Sequence, residues 1–453
     1  MERISGSAAA RVPPEAGDVV RTLSQAGYEA WFVGGCVRDL LSGRTPQDWD
    51  VTTSATPQEV MTLFPRRTVP TGIRHGTVTV ISGRTGVEVT TYRRDGVYKD
   101  HRHPLTVSFG TSVEEDLARR DFSVNAMAMD ADGALCDPFG GQDDLRAGVL
   151  RCIGDPDTRF GEDALRVMRG LRFAATFGFR IAPETAESIR RNRAFLSDIA
   201  PERIQAELCK LLCGARATDV LRAYPDVIAV FWQEIEEMLG FDQRNPHHCY
   251  DVWEHSLHAM DGVPPEDLTL RLTMFLHDIG KPRTFCLDAH GVGHFRGHPA
   301  VSQSMAKDMM CRLRFPTALR EQVELLVGLH DRPFVATEKA VGHALRQLGE
   351  TTFRQLLAVK RADNLAQSPA YRERLRTVRE AETILDALMA RDACFSLRQL
   401  AVNGNDMKAL GLSGRQIGQA LDALLNAVID GTLPNERGAL LEAIRVRREK
   451  FAP

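Results

Sequence analysis

The first third of the chain changes hydrophobic period several times. "YEAWFVGG" (28–35) is an apolar run closed by paired glycines and predicts a strand ending in a turn. "VRDLLSG" (37–43) predicts one or two helical turns closed by a glycine. "GTVTVISGRTGVEVTTYR" (76–93) is two β-rich runs around a Ser-Gly-Arg-Thr-Gly turn and predicts a hairpin. After about residue 160 the texture changes. "EDALRVMRGLRFAATF" (162–177) has apolar residues at helical spacing, and most of the chain beyond it is helix-like, broken by Pro and Gly. "FDQRNPHHCYD" (241–251) marks a boundary, a histidine-rich stretch then runs to about residue 331, and the last segment from Val402 predicts a small helical module. No tandem repeat interrupts this order.

Composition narrows the class without deciding it. With 453 residues the chain exceeds one core, so about two to four domains are expected. The 43% hydrophobic and 26% charged content is that of a globular protein. A net charge of −3 argues neither for nor against a nucleic-acid partner, because a local basic patch is enough. The nine cysteines are an odd number without CxxC spacing, which predicts reduced thiols. No run approaches the roughly 18 apolar residues of a membrane span, and the N-terminal stretch has no apolar core of signal-peptide length. A soluble, cytoplasmic protein is expected, with no membrane partner.

Candidate chemistry begins at "PQDWDV" (46–51). In a strand, residues two apart face one side, so Asp48 and Asp50 project together while Trp49 and Val51 pack behind. Two like charges that close repel by about 1 kcal/mol or more, and a divalent cation removes that cost. Upstream, Gly34-Gly35 lets backbone approach a ligand closely, and Arg38 comes on the next turn, where it can hold a phosphate.

The order GG-x-V-R-D, then D-x-D, then "RRDFSVNAMAMD" (119–130), "DPFGGQDDL" (137–145) and "RFGEDALRVMRGLRF" (159–173) resembles the class II tRNA nucleotidyltransferases, the CCA-adding and bacterial poly(A) polymerase family, through most of residues 30–235. The resemblance implies that Asp48 and Asp50 are catalytic and hold Mg²⁺, and that Gly35, Arg38 and Arg120 contact the triphosphate. Asp121 then contacts the ribose or braces Arg120. Glu88, on the hairpin, is either a third carboxylate or an exposed strand residue. In the family, the Asp and first Arg of the last motif read the base of CTP or ATP. An aspartate accepts from an exocyclic amine and an arginine donates to ring or carbonyl acceptors. These roles fall on Asp163 and Arg166, with Arg169 and Arg172 on the nucleotide or in support. At about 100° per residue, Asp163, Arg166 and Arg169 are expected on one arc of a helix, with Arg172 at its edge. Residues 92–109 look like the flexible loop of enzymes that add the terminal A.

A second constellation spans "DVWEHSLHAM" (251–260), "LTMFLHDIGKP" (272–282), "FRGHPAVS" (295–302), "LLVGLHDRP" (325–333) and "KRADNLAQ" (360–367). It resembles the HD phosphohydrolase superfamily. The implied ligands are His255, His277, Asp278, His298, His330 and Asp363. Imidazole and carboxylate donors suit a divalent transition metal or Mg²⁺. His277 and Asp278 are adjacent, and both can bind only if the helix end turns.

The expected fold is α+β. A polymerase-β-like nucleotidyltransferase head with a mixed sheet (28–150) comes after an N-terminal extension (1–27). An all-α neck and body (151–240), an α-helical HD domain (241–395) and a helical C-terminal module (396–453) complete it. The expected activity is template-independent CCA addition to the tRNA 3′-end from CTP and ATP, in a monomer or dimer, beside an HD site that acts on cyclic or monoester phosphates of RNA ends. Its alternatives are an A-adding enzyme or poly(A) polymerase and, from a different class, an HD phosphohydrolase with a nucleotide-sensing head.

Overall fold

The computed structural model describes residues 11–73, 76–95, 107–109 and 112–446. Residues 96–106, the middle of the expected loop, lie outside the described residues. The chain divides into two units, Met1–Gln233 and Glu234–Pro453.

The first unit opens with helix α1 (Pro14–Gln25), then strand β1 (Ala30–Val33), helix α2 (Gly35–Leu41) and strand β2 (Trp49–Thr53). Strands β3 (Thr68–Gly72), β4 (Thr77–Ser82) and β5 (Thr85–Thr91) come next, and β4–β5 is the expected antiparallel hairpin. Short strands β6 (Ala128–Met129) and β7 (Leu135–Cys136) complete a mixed seven-stranded sheet in the order β3-β4-β5-β2-β1-β6-β7. Its one parallel pair is β2–β5.

Alternation along the strands sorts the two faces. Trp49, Val51, Val87 and Val89 join Val19, Val20 and Leu23 of α1 in the core on one face, where Phe32 meets Trp49 edge-on at 5.3 Å. Each such buried side chain contributes about 1.5–3 kcal/mol. The even positions Asp50 and Glu88 are thereby turned to the opposite face, away from α1.

Three helices carry the arginines of the last motif and their partners: α3 (Pro156–Glu162), α4 (Leu165–Phe177) and α5 (Pro201–Leu212). The expected single helix through 162–177 is broken. Asp163 has φ −138° and ψ 101°, an extended conformation between α3 and α4. Its side chain accepts the Leu165 N–H at 3.2 Å, as a helix-capping aspartate does. Asp163 therefore does not share a helical face with Arg166 and Arg169.

The second unit is mainly helical. Its principal helices are α6 (Val252–Asp261), α7 (Leu268–Leu276), α8 (His298–Arg312), α9 (Thr317–Leu329), α10 (Glu338–Leu365, interrupted at Gly349) and α11 (Arg374–Ala390). Leu326, Phe353, Leu357 and Leu385 form one core, and a separate one around Leu424, Leu440 and Ile444 holds the C-terminal helices. Among the described residues no helix is long and apolar enough to cross a membrane.

Candidate functional site

In the first unit, the register of β2 on β5 places Asp50 directly beside Glu88. Asp48 lies just before β2 and is exposed, whereas Asp50 is half-buried. Burial pushes the Asp50 carboxyl above its ordinary pKa; Arg120 pulls it down, and Glu88 and Asp48 add to the rise. Asp50 thus feels two carboxylates and one arginine. Carboxylate oxygens are donors of the kind that suits Mg²⁺, although among the described residues these three do not converge within 4.8 Å of one another as the His/Asp groups of the second unit do.

Gly34 brings the arginine and the aspartate together. It sits at φ +79°, the left-handed region that a side chain disfavours. A Cβ there would lie 3.0 Å from Arg120 Nη1 and 4.0 Å from Asp50 Oδ2. Arg120 in turn donates from Nη2 to Asp116 at 3.3 Å, and its buried Nε has no partner. Burial would raise Asp116, but Arg120 and Arg119 outweigh it and hold the carboxyl low.

Gly35 is the first residue of α2. Arg38, 7% exposed, donates to Asn125 Oδ1 at 2.6 Å and to Asp39 at 3.0 Å, with its guanidinium 4.3 Å from the Phe177 ring centre. Asn125 is held by Asp121, which accepts its Nδ2 at 3.1 Å and the Phe122 N–H at 2.9 Å. The other oxygen of Asp121 accepts Arg169 Nε at 2.8 Å. A relay Arg169–Asp121–Asn125–Arg38 results, and Asp121 braces Arg169 rather than Arg120. Burial alone would raise Asp121; Arg169 and the Asn125 amide bring it down to about 2.

The remaining predicted residues are engaged separately. Asp163 pairs with Arg203 at 3.3 Å. Arg166 donates to Glu162 at 2.7 Å and to the carbonyls of Arg159 and Arg119 at 3.0 and 2.9 Å. Arg172 donates to Glu207 at 2.6 Å. The structure therefore gathers Asp48, Asp50, Glu88 and Arg120, and it does not join Asp163 to Arg166. Sequence reasoning missed Asp116, Asn125, Glu162 and Glu207. Asn125, four residues after Asp121, Glu162, four before Arg166, and Asp116, four before Arg120, each had a local spacing signal; Glu207 had none.

The second unit assembles all of its predicted ligands. His277 and His330 come just after the last turns of α7 and α9, His298 opens α8, His255 lies on α6, and Asp363 lies near the end of α10. Because α7 ends at Leu276, the adjacent His277 and Asp278 turn toward one centre. Asp278 divides that centre in two. Its Oδ2 lies 3.3 Å from His255 Nε2 and 3.2 Å from His277 Nε2, with Asp363 Oδ1 3.0 Å from His255 Nε2. Its Oδ1 lies 3.3 and 3.5 Å from the Nε2 atoms of His298 and His330.

Every ring turns its Nδ1 toward a backbone carbonyl: His277 to Met274 at 2.8 Å, His298 to Phe295 at 2.8 Å, His330 to Val327 at 2.7 Å and His255 to Ala366 at 3.4 Å. A carbonyl only accepts, so Nδ1 carries the proton and each Nε2 offers a lone pair to the centre. Paired Nε2 atoms stand 3.3 Å apart (His277, His255) and 3.1 Å apart (His298, His330). Neither Asp278 oxygen makes a hydrogen bond of good geometry, although Lys281 Nζ is 2.7 Å from Oδ2. Converging acceptors without donors are the arrangement that divalent cations satisfy. Without a metal, burial favours neutral His277, yet Asp278 and Asp363 outweigh it and raise its pKa to about 10. The two buried carboxylates thus demand positive charge, which a proton or a metal can supply. A cavity of about 340 Å³ opens over the cluster, walled in part by His248, Lys281, Arg296 and Arg374.

Comparison with known proteins places the chain in a family. Residues 30–151 match the poly A polymerase head domain, 178–224 the RNA and SrmB-binding site of polymerase A, and 299–444 tRNA nucleotidyltransferase domain 2. A CCA-adding enzyme of Levilactobacillus brevis is 34% identical over 441 residues, covering 94% of this chain and 96% of that one. The chain belongs to the CCA-adding enzyme family. The CCA-adding enzyme of Geobacillus thermodenitrificans is 50% identical over 203 residues, 45% of this chain, so the chain spans only 50% of that relative's length. The crystal structure of Bacillus stearothermophilus CCA-adding enzyme in complex with CTP aligns with TM-score 0.71 and 30% identity, over 97% of this chain and all of the other. A Thermotoga maritima CCA-adding enzyme complexed with tRNA shares the fold, with TM-score 0.63 at 19% identity over 99% of each chain. The α+β architecture expected from the sequence is the one these family structures have.

Proposed function

We propose that the chain adds C and A nucleotides to the 3′-end of tRNA, using CTP and ATP and releasing pyrophosphate. Family membership supports the reaction class, and the convergence of Asp50, Glu88 and Arg120 over Gly34 carries the assignment to this site. Asp48 and Asp50 would hold Mg²⁺, with Glu88 beside them. When bound, the ion supplies activation of the primer 3′-hydroxyl and charge neutralisation for an in-line displacement. Arg120, with an unmet buried N–H beside Gly34, would contact the triphosphate together with Gly35 and Arg38. Arg38 shapes that cradle through Asn125. Asp163 accepts from the base's exocyclic amine and Arg166 donates beside it, which requires each to exchange a protein partner, Arg203 and Glu162 respectively. Arg169 and Arg172 support this surface through Asp121 and Glu207. The helical neck and body (151–240), the HD domain (241–395) and the C-terminal module (396–453) would grip tRNA by shape and phosphate contacts. A cytoplasmic monomer or dimer fits this work.

We also infer that the His/Asp cluster is an HD phosphohydrolase site for cyclic or monoester phosphates at RNA 3′-ends. Its support is the convergence of four Nε2 lone pairs and the buried Asp363 carboxylate around Asp278.

The test is to incubate the protein with tRNA ending at the discriminator base, at C or at CC, with CTP and ATP singly and together, and to size the products. CCA addition predicts completion of all three. A long ladder of A residues would replace the reading with poly(A) synthesis, and growth from the CC end alone would make it an A-adding enzyme.

A further inference from the structure

Phe173 of α4 is buried in the first unit, and three arginines meet over its ring. The guanidinium carbons of Arg172, Arg169 and Arg38 stand 3.8, 5.3 and 5.4 Å from the ring centre. All three lie within the roughly 6 Å over which the negative face of a ring attracts a cation. Phe122 meets Phe173 edge-on at 5.8 Å and buttresses it. Phe177, one turn further along α4, stacks beside Phe173 at 5.9 Å and adds a second ring against Arg38.

Each arginine also has an acid, and each acid comes from a different part of the unit. Arg38 Nη2 lies 2.9 Å from Asp39 of α2, Arg169 Nη2 lies 2.6 Å from Asp121, and Arg172 Nε lies 2.6 Å from Glu207 of α5. An ion pair grips a guanidinium by its N–H edge, whereas a ring against the flat face sets its plane. The relay through Asp121 and Asn125 joins Arg169 to Arg38 by their edges. Phe173 joins them, and Arg172, by their faces. The crowding has a cost: burial pushes the Arg172 guanidinium down in pKa, Glu207 opposes this, and Arg169 adds to the fall. A shared ring face offsets repulsion among cations without adding a charge that would compete with a triphosphate.

We propose that Phe173 is a positioning residue for nucleotide addition. Its ring holds Arg38 at the triphosphate and Arg169 and Arg172 on α4 in one arrangement, which keeps the phosphate-binding and base-facing sides of the site in register. This rests on the reading of Arg38 as a triphosphate contact. The ring touches no reacting atom, so it acts on nucleotide binding and not on the chemical step.

The experiment uses the full chain with trifluorophenylalanine in place of Phe173, alongside Phe173→Leu and Arg38→Lys. Fluorination keeps the shape of the ring and removes the negative charge from its face. Addition of CTP to tRNA ending at the discriminator base, and of ATP to tRNA ending at CC, gives KM and kcat for each nucleotide. The fluorinated protein should show KM raised roughly three- to tenfold for both, with kcat within about twofold of wild type. Phe173→Leu should raise KM at least as far. An unmoved KM in the fluorinated protein, with or without a fall in kcat, overturns the proposal, because a ring that only fills the core is indifferent to its charge. Arg38→Lys loses the flat guanidinium and should also raise KM. A wild-type KM in Arg38→Lys overturns the triphosphate reading of Arg38 instead. The fluorinated protein still decides the role of the ring then, since Arg169 and Arg172 remain against it: a raised KM supports it and an unmoved one overturns it.

Discussion

Replacing Asp121 by Asn should destabilise the first unit by about 2 kcal/mol at neutral pH. Its carboxyl lies at about 2 against an ordinary 3.8, because Arg169 and the Asn125 amide outweigh its burial. At about 1.36 kcal/mol per pKa unit this difference is worth about 2 kcal/mol. A local count agrees, since losing charge-assisted bonds to a buried group costs about 1.5–3 kcal/mol. Every partner of Asp121 is a donor: Phe122 N–H, Asn125 Nδ2 and Arg169. The amide NH₂ of an asparagine would therefore face a donor whichever way it turned. The contribution belongs to a depressed acid, so it is complete above about pH 4 and fades as pH falls toward 2. Urea unfolding of wild type and Asp121→Asn between pH 7 and pH 3 reads it. The gap should be constant down to about pH 4 and then narrow. Because Asp121 also orients Asn125 against Arg38, KM for the nucleoside triphosphate should rise in parallel. Equal stabilities at pH 7, or a gap that widens on acidification, would show that Asp121 does not hold these donors as a charged acceptor.

Two other outcomes are expected from the same structure. Gly34→Ala should cost about 1–2 kcal/mol of backbone strain and displace Arg120, whose Nη1 lies 3.0 Å from the new Cβ; nucleotide addition should fall while far-UV circular dichroism holds, and full activity would contradict this. Mn²⁺ binding at the His/Asp cluster should tighten by roughly tenfold per pH unit on raising pH below about 10, because the metal displaces the proton held by His277. Calorimetry across pH 6.5–8.5 measures this, and a flat profile would show that no such proton is displaced.

Much of this architecture is legible in local pattern. The hairpin announces itself by its glycine turn, and the alternation in "DWDV" turns Asp50 away from Trp49 and Val51. The His/Asp cluster is visible because ligands placed just beyond helix ends keep recognisable local spacing. The hidden part is set by long-range pairing. Glu88 reaches Asp50 only through the parallel register of β5 on β2, which no local signal encodes. Helical periodicity runs through Asp163 because an aspartate that caps a helix start still fits a period of three. Asn125 is one polar residue among several until Asp121 and Arg38 close on it from both sides. Arg166 looks free to read a base in the sequence, yet it donates to Glu162 and the Arg159 carbonyl within its own motif and to the Arg119 carbonyl, which chain folding brings up.

We propose that the Asp50 site, and not the His/Asp cluster, extends tRNA. Transcribed tRNA lacking its 3′-terminal CCA, incubated with CTP, ATP and Mg²⁺, tests it with Asp50→Asn and Asp278→Asn side by side. Asp50→Asn should abolish addition of every nucleotide, while Asp278→Asn, judged folded by circular dichroism, should complete CCA at close to the wild-type rate. Full CCA addition by Asp50→Asn would show that extension does not depend on the Asp50 site.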